Sequence, residues 1–219
     1  AMDFYDKLVA TPLFQGLSNS ELMQIIGQTK FAFCTFEAQH IIRDEGEPCG
    51  SMAFLLDGSA KVMSFSDDHS YSVEETLRAP YVIQPERLFG LTQRYTRRFV
   101  AASQCHIMEL GKNDVMRLSD EFIIFRINLL NVLSTVSQKA DRNAWKPMPD
   151  DAYGRIARFF KSHSTTPAGK KTIRIKMTRL AQEIGLGRLA VSKELNYMKE
   201  KGLLEFSRGI ITLPAIERL

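Results

Sequence analysis

The chain has 219 residues, 44% of them hydrophobic and 25% charged, a composition that excludes a disordered or low-complexity chain and leaves enough length for one large or two small cores. No apolar run reaches the ~18 residues of a membrane span, and no basic region leads into an apolar stretch, so a membrane partner is not expected. Cys34, Cys49 and Cys105 are scattered and free of CxxC spacing, which speaks against disulfides, structural zinc or a four-thiolate iron–sulfur cluster and fits a reducing cytoplasm.

The net charge of +4 is unevenly divided. Residues 1–146 hold 15 Lys/Arg and 18 Asp/Glu, a net of −3, whereas residues 147–219 hold 14 and 7, a net of +7. A basic segment of that length points to a polyanionic partner.

Ala1 ahead of Met2 reads as a cloning scar and is set aside. Residues 3–30 read as short helices. Asp3-Phe4-Tyr5 leads to Leu8, and Ser18-Asn19-Ser20-Glu21 has capping-box spacing ahead of Leu22, Ile25 and Ile26. From about 31 to 110 the pattern changes to short strands: Phe31–Phe36, His40–Arg43, Met52–Leu56, Ala60–Phe65 and Phe99–Leu110, with turns at Glu45-Gly46-Glu47-Pro48 and Asp57-Gly58. So many short strands suit a jelly roll or barrel-like sandwich.

A helix is expected over Ser119–Asn143. Phe122, Phe125, Leu129, Val132 and Val136 repeat at spacings of three and four, the seam of a coiled coil, and are the expected homodimer interface. Ile123, Ile127 and Leu130 form a second stripe, so one stripe can pack on the β domain and leave the other for a second copy. Lys146-Pro147-Met148-Pro149 ends the helix where the charge changes sign. The expected domains are therefore 1–118, a β-rich sensor; 119–146, a dimerisation helix and hinge; and 147–219, a basic domain.

In the basic domain, Met177–Ile184 and Arg188–Lys201 read as two helices joined by Gly185-Leu186-Gly187. Ala181 is small where the helices cross, Gly185 permits the positive φ of a three-residue turn, and Val191, Leu195 and Leu180 anchor the second helix. Arg188, Leu189, Ser192, Lys193 and Asn196 then face outward, where a major groove can receive them. Glu205-Phe206 and Ile210–Leu213 flank Ser207-Arg208-Gly209 as a wing. Thr178, Arg179 and Arg208 are the expected phosphate contacts, and Arg188 the expected guanine reader.

At these residues the chain resembles the CRP/FNR superfamily of bacterial transcription regulators over nearly its whole length. Thr11-Pro12-Leu13-Phe14-Gln15-Gly16-Leu17-Ser18 is similar to the family's opening. Glu45-Gly46-Glu47-Pro48 and Phe54-Leu55-Leu56-Asp57-Gly58-Ser59-Ala60-Lys61-Val62 resemble its β-roll signature. Gly154-Arg155-Ile156-Ala157 and Ile175–Leu204 resemble its DNA-binding domain. The resemblance implies an α+β protein with a cyclic-nucleotide-binding-like β-roll, a long dimerisation helix and a winged helix-turn-helix. Its implied partners are a near-palindromic double-stranded operator, a second copy of the chain and RNA polymerase.

Two departures shape the functional expectation. The family's cyclic-nucleotide pocket carries Phe-Gly-Glu and, about ten residues on, Arg-Ser/Thr-Ala, whose arginine and backbone N–H groups take the cyclic phosphate. Here Ile83-Gln84-Pro85-Glu86 puts a proline at the glycine, which removes a donor, and Tyr95-Thr96-Arg97-Arg98-Phe99 holds no clean triplet. Glu86, Arg97 and Arg98 remain the candidate effector-pocket residues, and the effector is expected to be something other than cyclic AMP. Family members that read TGTGA-like half-sites present Arg-Glu-Thr-Val-x-Arg, where this chain has Arg188-Leu189-Ala190-Val191-Ser192-Lys193. Leu189 offers a cytosine amino group no acceptor, although it suits a thymine methyl.

An enzyme is not expected, because the chain lacks a phosphate-binding glycine loop, HExxH and GxSxG. The competing reading is a cyclic-nucleotide or haem sensor that regulates a protein partner. It requires a retained pocket and a lost DNA reader, the reverse of this pattern, and His40, His69, His106 and His163 are scattered.

Overall fold

The computed structural model describes residues 3–219; Ala1 and Met2, and the cloning-scar reading with them, lie outside the described residues. Contacts divide the chain into two compact units, one running to Ala60 and resuming over Leu77–Ala144, the other formed by Lys61–Thr76 with Trp145–Leu219. Among the described residues no helix is long and apolar enough to cross a membrane.

The first unit begins with α1 (Phe4–Ala10), a 3-10 turn (Pro12–Phe14) and α2 (Asn19–Gln28). Ser18 accepts from the Glu21 amide and Glu21 reaches back to the Ser18 amide, so the capping box forms as read from sequence. The strands follow as β1 (Ala32–Phe36), β2 (Ile41–Arg43), β3 (Ser51–Asp57), β4 (Ser59–Phe65), β5 (Ser72–Arg78), β6 (Tyr81–Ile83), β7 (Arg97–Ala101) and β8 (Cys105–Gly111). A four-stranded antiparallel sheet runs in the order β1-β8-β3-β6. Met52, Ala53, Phe54, Leu55 and Leu56 of β3 are all buried, the continuous apolar run of a strand covered on both faces.

Three sequence expectations are corrected here. Phe99–Leu110 is not one strand, because the chain breaks at 102–104, where the Ala102 and Ser103 amides donate to the Ser59 carbonyl at 2.8 and 3.3 Å. β5 and β6 form where no clear strand signal is present in the residues. The expected helix over Ser119–Asn143 is two helices, α3 (Lys112–Glu121) and α4 (Ile123–Trp145), separated at Phe122 with φ −123° and ψ 105°. The Phe122 ring enters the core at 4% exposure, and its burial, worth ~1.5–3 kcal/mol, offsets the interrupted helix. The 23 residues of α4 still span ~35 Å.

The two stripes of this helix take distinct places. Phe122, Phe125 and Leu129 are buried within the chain. The Phe125 ring lies 5.4 Å from that of Phe14, and Asn128 donates to the carbonyls of Leu13 and Gln15 at 3.0 and 2.8 Å. Ile123, Ile127, Leu130 and Val136 are left exposed, and Val132 is half-buried. Thus three of the five seam residues serve the chain's own core, and the apolar surface open to another molecule is the second stripe with Val136.

The second unit contains α5 (Ala152–Ser162), β9 (Lys171–Arg174), α6 (Met177–Ile184), α7 (Arg188–Glu200), β10 (Glu205–Ser207) and β11 (Ile210–Leu213). Its strands run β10-β11-β9-β5-β4, with residues 61–76 of the β4–β5 hairpin supplying the last two. Ile156, Phe160, Ile173, Leu180, Val191 and Leu195 form its core together with Val73 from the hairpin. β5 and β9 are antiparallel, with Val73 opposite Ile173 and Glu75 opposite Lys171. Glu75 and Lys171 are each only 1% exposed, and Lys171 Nζ donates to Glu75 Oε1 at 2.6 Å. The amides of Thr165 and Thr166 also donate to this carboxylate at 2.8 and 3.1 Å. Burial alone pushes the Glu75 carboxyl up, but Lys171 and the two amides outweigh it and hold the group below its ordinary range.

Candidate nucleic-acid interface

The helix-turn-helix is built from α6, the turn at 185–187 and α7. Leu180, Ala181 and Ile184 bury one face of α6, while Val191, Leu195 and Met198 bury the facing side of α7. Gly185 has φ 68° and ψ 36°, and its amide donates to the Ala181 and Gln182 carbonyls. The left-handed turn expected there is therefore the cap that ends α6. Arg155, which sequence reasoning did not assign, secures the same end: its Nη1 donates to the Ile184 and Gly185 carbonyls at 3.1 and 3.2 Å, and its Nε to Pro149 at 2.8 Å. A cation at a helix C-terminus also opposes the negative end of the helix dipole. Gly154 just before it is sterically required, since a Cβ there would lie 2.5 Å from Asp151 Oδ1 and 2.9 Å from Pro149 Cβ.

With its inner face anchored, α7 presents Arg188, Leu189, Lys193 and Asn196 to solvent and leaves Ser192 half-buried. Leu189 is 86% exposed, an unsatisfied position for a large apolar side chain unless something covers it. The wing forms as read: Ser207 pairs with Ile210 across a two-residue loop. Arg208 (φ 47°) and Gly209 (φ 78°) both lie in the left-handed region there, as a type I′ hairpin turn requires. The Ile175 amide donates to the Gly209 carbonyl at 2.9 Å, tying the wing tip to the approach of α6.

These elements enclose one cleft of about 460 Å3, lined by Thr178, Arg188 and Arg208 together with Lys176 and Ser207. Three residues singled out from three separate segments are thus brought to one concave, positively charged surface. Arg179 is placed differently. Its Nε donates to Glu183 at 2.9 Å, its Nη1 lies 3.3 Å from Asp68 of the hairpin, and its guanidinium sits 5.7 Å from the Tyr71 ring centre. Arg179 is therefore engaged within its own unit, whereas Thr178 beside it is exposed.

The candidate effector residues lie in the first unit. Glu86 belongs to a 3-10 turn at Pro85–Arg87 that is introduced by Gln84 in a left-handed conformation, φ 38° and ψ 61°. Gln84 is 3% exposed. Its Oε1 accepts from the Thr96 and Arg97 amides at 3.0 and 3.3 Å, and its Nε2 donates to Thr96 Oγ1 at 2.7 Å. The Arg98 guanidinium donates to Asp44 at 2.9 Å and holds that carboxyl below its usual range. The stretch where the resemblance would place phosphate-binding amides is thus already satisfied by the chain's own carboxamide. Sequence reasoning found Pro85 and missed Gln84, whose signal is a neutral polar residue between the apolar Ile83 and Pro85.

Comparison with known proteins agrees with this architecture. Residues 154–219 match the Crp-like helix-turn-helix domain family. No curated protein matches the chain by sequence. Among solved structures, the catabolite activator protein of Thermus thermophilus is 18% identical and superposes with a TM-score of 0.51, over 93% of this chain and 93% of that one. A transcriptional regulator from Thermotoga maritima is 17% identical with a TM-score of 0.50, over 57% of this chain and 95% of its own. The sensor domain of the transcriptional regulator DNR from Pseudomonas aeruginosa is 19% identical with a TM-score of 0.50, over 64% and 95%. At these identities the likeness is one of fold. The chain accordingly shares the fold of these solved structures, and its residues 154–219 match the Crp-like helix-turn-helix domain family.

Proposed function

We propose that the protein is a homodimeric transcription regulator that binds a near-palindromic DNA duplex through α7 and its wing, with the parts 1–118 as sensor, 119–146 as dimerisation helix and hinge, and 147–219 as reader. The observation that carries this reading is the convergence of Thr178, Arg188 and Arg208 on one cleft at the mouth of the helix-turn-helix. Arg188 reads a guanine through its planar fork, Leu189 covers a thymine methyl, and Ser192 and Lys193 reach adjacent bases or phosphates. Thr178 and Arg208 hold backbone phosphates and set the register. Arg179 is left to position α6, because its charge already has two carboxylate partners.

A dimer gives the site two-fold symmetry, with half-sites about one helical turn, ~34 Å, apart. Its interface is the exposed stripe Ile123, Ile127, Leu130 and Val136, with Val132 at its edge. The effector is not cyclic AMP, since Gln84 holds the amides a cyclic phosphate would need. The cytoplasm is the compartment where its DNA and its free thiols Cys34, Cys49 and Cys105 both fit, and RNA polymerase is the partner the family resemblance implies.

Selection of bound duplexes from a random pool, with and without cell metabolites, tests the proposal. Recovery of an inverted repeat with half-sites one turn apart is expected. Enrichment of single, unrepeated sites would contradict the dimeric reader.

A further inference from the structure

The first unit holds an open cavity that neither the DNA reader nor the Glu86 region uses. Its volume is about 570 Å3, inside the ~300–1,000 Å3 typical of small-ligand sites. Phe4 from α1, Phe31 just ahead of β1 and Phe33 within β1 form its apolar wall, with Ile26 and Leu56 behind them. The rings hold one another edge-on: Phe4 stands 5.6 Å from Phe31 at 70° and 5.3 Å from Phe33 at 87°. Phe31 in turn lies 6.5 Å from Phe14, which is fully buried. The wall is therefore preorganised by the core. Phe33 nevertheless remains 60% exposed, on a strand at the edge of its sheet, beside β8.

Both full charges in the cavity lining, Lys7 and Lys30, are positive. His106 also lines the cavity, and no carboxylate does among the described residues. Asp57 lies outside the lining, 3.6 Å from Lys7 and 3.4 Å from His106 Nδ1, and offsets part of the Lys7 charge. Lys30 adds a second cation. The Thr29 hydroxyl oxygen accepts from Arg117 Nη2 at 2.9 Å. Phenyl faces alone would suit a cationic ligand, but two ammonium groups at the rim repel one. The walls select an apolar body, and the rim selects a negative head.

We infer that this cavity binds an amphipathic monocarboxylate, with its chain or ring against Phe4, Phe31 and Phe33 and its carboxylate beside Lys30 and Lys7. The inference rests on the first unit alone and stands whether or not the protein reads DNA.

Calorimetric titration of the full-length protein with decanoate, decanol and decyltrimethylammonium separates the contributions of tail and charge. Saturable binding of decanoate, weaker binding of decanol and none of the ammonium compound is expected. Lys30→Gln should weaken decanoate by about threefold, the scale of a partly exposed ion pair. Phe33→Ala, at an exposed edge-strand position, should weaken it by about tenfold through lost apolar contact. Circular dichroism confirms that each variant is folded, and Lys30→Gln alone suffices if Phe33→Ala is not. No saturable decanoate binding, or equal binding of all three compounds, would overturn the proposal. So would Phe33→Glu altering sedimentation of a protein that ignores decanoate, since the cavity would then be a contact between protein copies.

Discussion

Removing one member of the Glu75–Lys171 pair should destabilise the protein more than any other single polar substitution. Both residues are 1% exposed, and their side chains meet at 2.6 Å as directly opposed residues of β5 and β9. Lys171→Met leaves the Glu75 carboxylate buried with the Thr165 and Thr166 amides and the Thr166 hydroxyl, and Glu75→Met leaves a buried ammonium with the Thr166 hydroxyl at 2.6 Å. Breaking a buried pair from one side costs about 3–5 kcal/mol, whereas replacing both members with apolar residues of similar volume is often neutral or stabilising. Urea denaturation of the two single variants and the Glu75→Met/Lys171→Met double variant measures both effects. The singles should lose about 3–5 kcal/mol and the double should recover most of it. Single losses below about 1 kcal/mol, or a double variant as unstable as the sum, would refute this account. The pH dependence follows with a definite sign. The Glu75 carboxyl is held below its ordinary range when folded, so its contribution is complete above the unfolded value of about 4.3. It is lost as the pH falls through the lower folded value, and the double variant should lack this part of the acid loss.

Other consequences are separable. A fragment of residues 147–219 lacks the β5 edge and the partner of Lys171; it should unfold readily, and a peptide covering 61–78 should restore its stability in calorimetry, whereas an equally stable fragment without peptide would show that the hairpin is dispensable. Leu130→Asp, on the exposed stripe of α4, should give monomers in sedimentation with little loss of fold, while Leu129→Asp, whose parent side chain is buried, should unfold the first unit instead; an unchanged Leu130→Asp dimer would move the interface elsewhere. Cyclic AMP should leave the melting temperature unchanged, because a ligand at 100 times its Kd adds about 2.7 kcal/mol and would be plainly visible; a concentration-dependent rise would mean that Gln84 yields the Thr96 and Arg97 amides.

The helix-turn-helix was legible because each of its residues answers a local steric demand. Ala181 sits at the crossing, Gly185 supplies the left-handed turn, and Val191 and Leu195 recur at helical period. The Arg208-Gly209 wing was legible for the same reason. The strand β5 was hidden by its own chemistry. Val73, Glu75 and Leu77 are its inward positions, and a glutamate among them breaks the apolar alternation that reveals a strand. Lys171, 96 residues away, and the Thr165 and Thr166 amides together make that burial possible. The break at Phe122 was equally invisible, since the same apolar spacing continues on both sides of it. Which stripe of α4 meets the core was decided by the Pro12–Phe14 turn more than 100 residues earlier, through Phe14 against Phe125 and the Leu13 carbonyl on Asn128. Arg179 read as an outward cation because the sequence does not show that Asp68 and Tyr71 come to meet it.

In the proposed complex α7 reads bases through Arg188 while the wing holds the backbone. Base preference should be profiled at every operator position for the native protein, Arg188→Ala and Arg208→Ala, across a range of salt concentrations. Arg188→Ala should flatten preference at one position of each half-site, a loss of ~1–3 kcal/mol in discrimination. Arg208→Ala should weaken all sequences about equally and reduce the salt slope by about one phosphate contact per protomer. If Arg188→Ala leaves both affinity and base preference intact, α7 is not the reading element and the account fails.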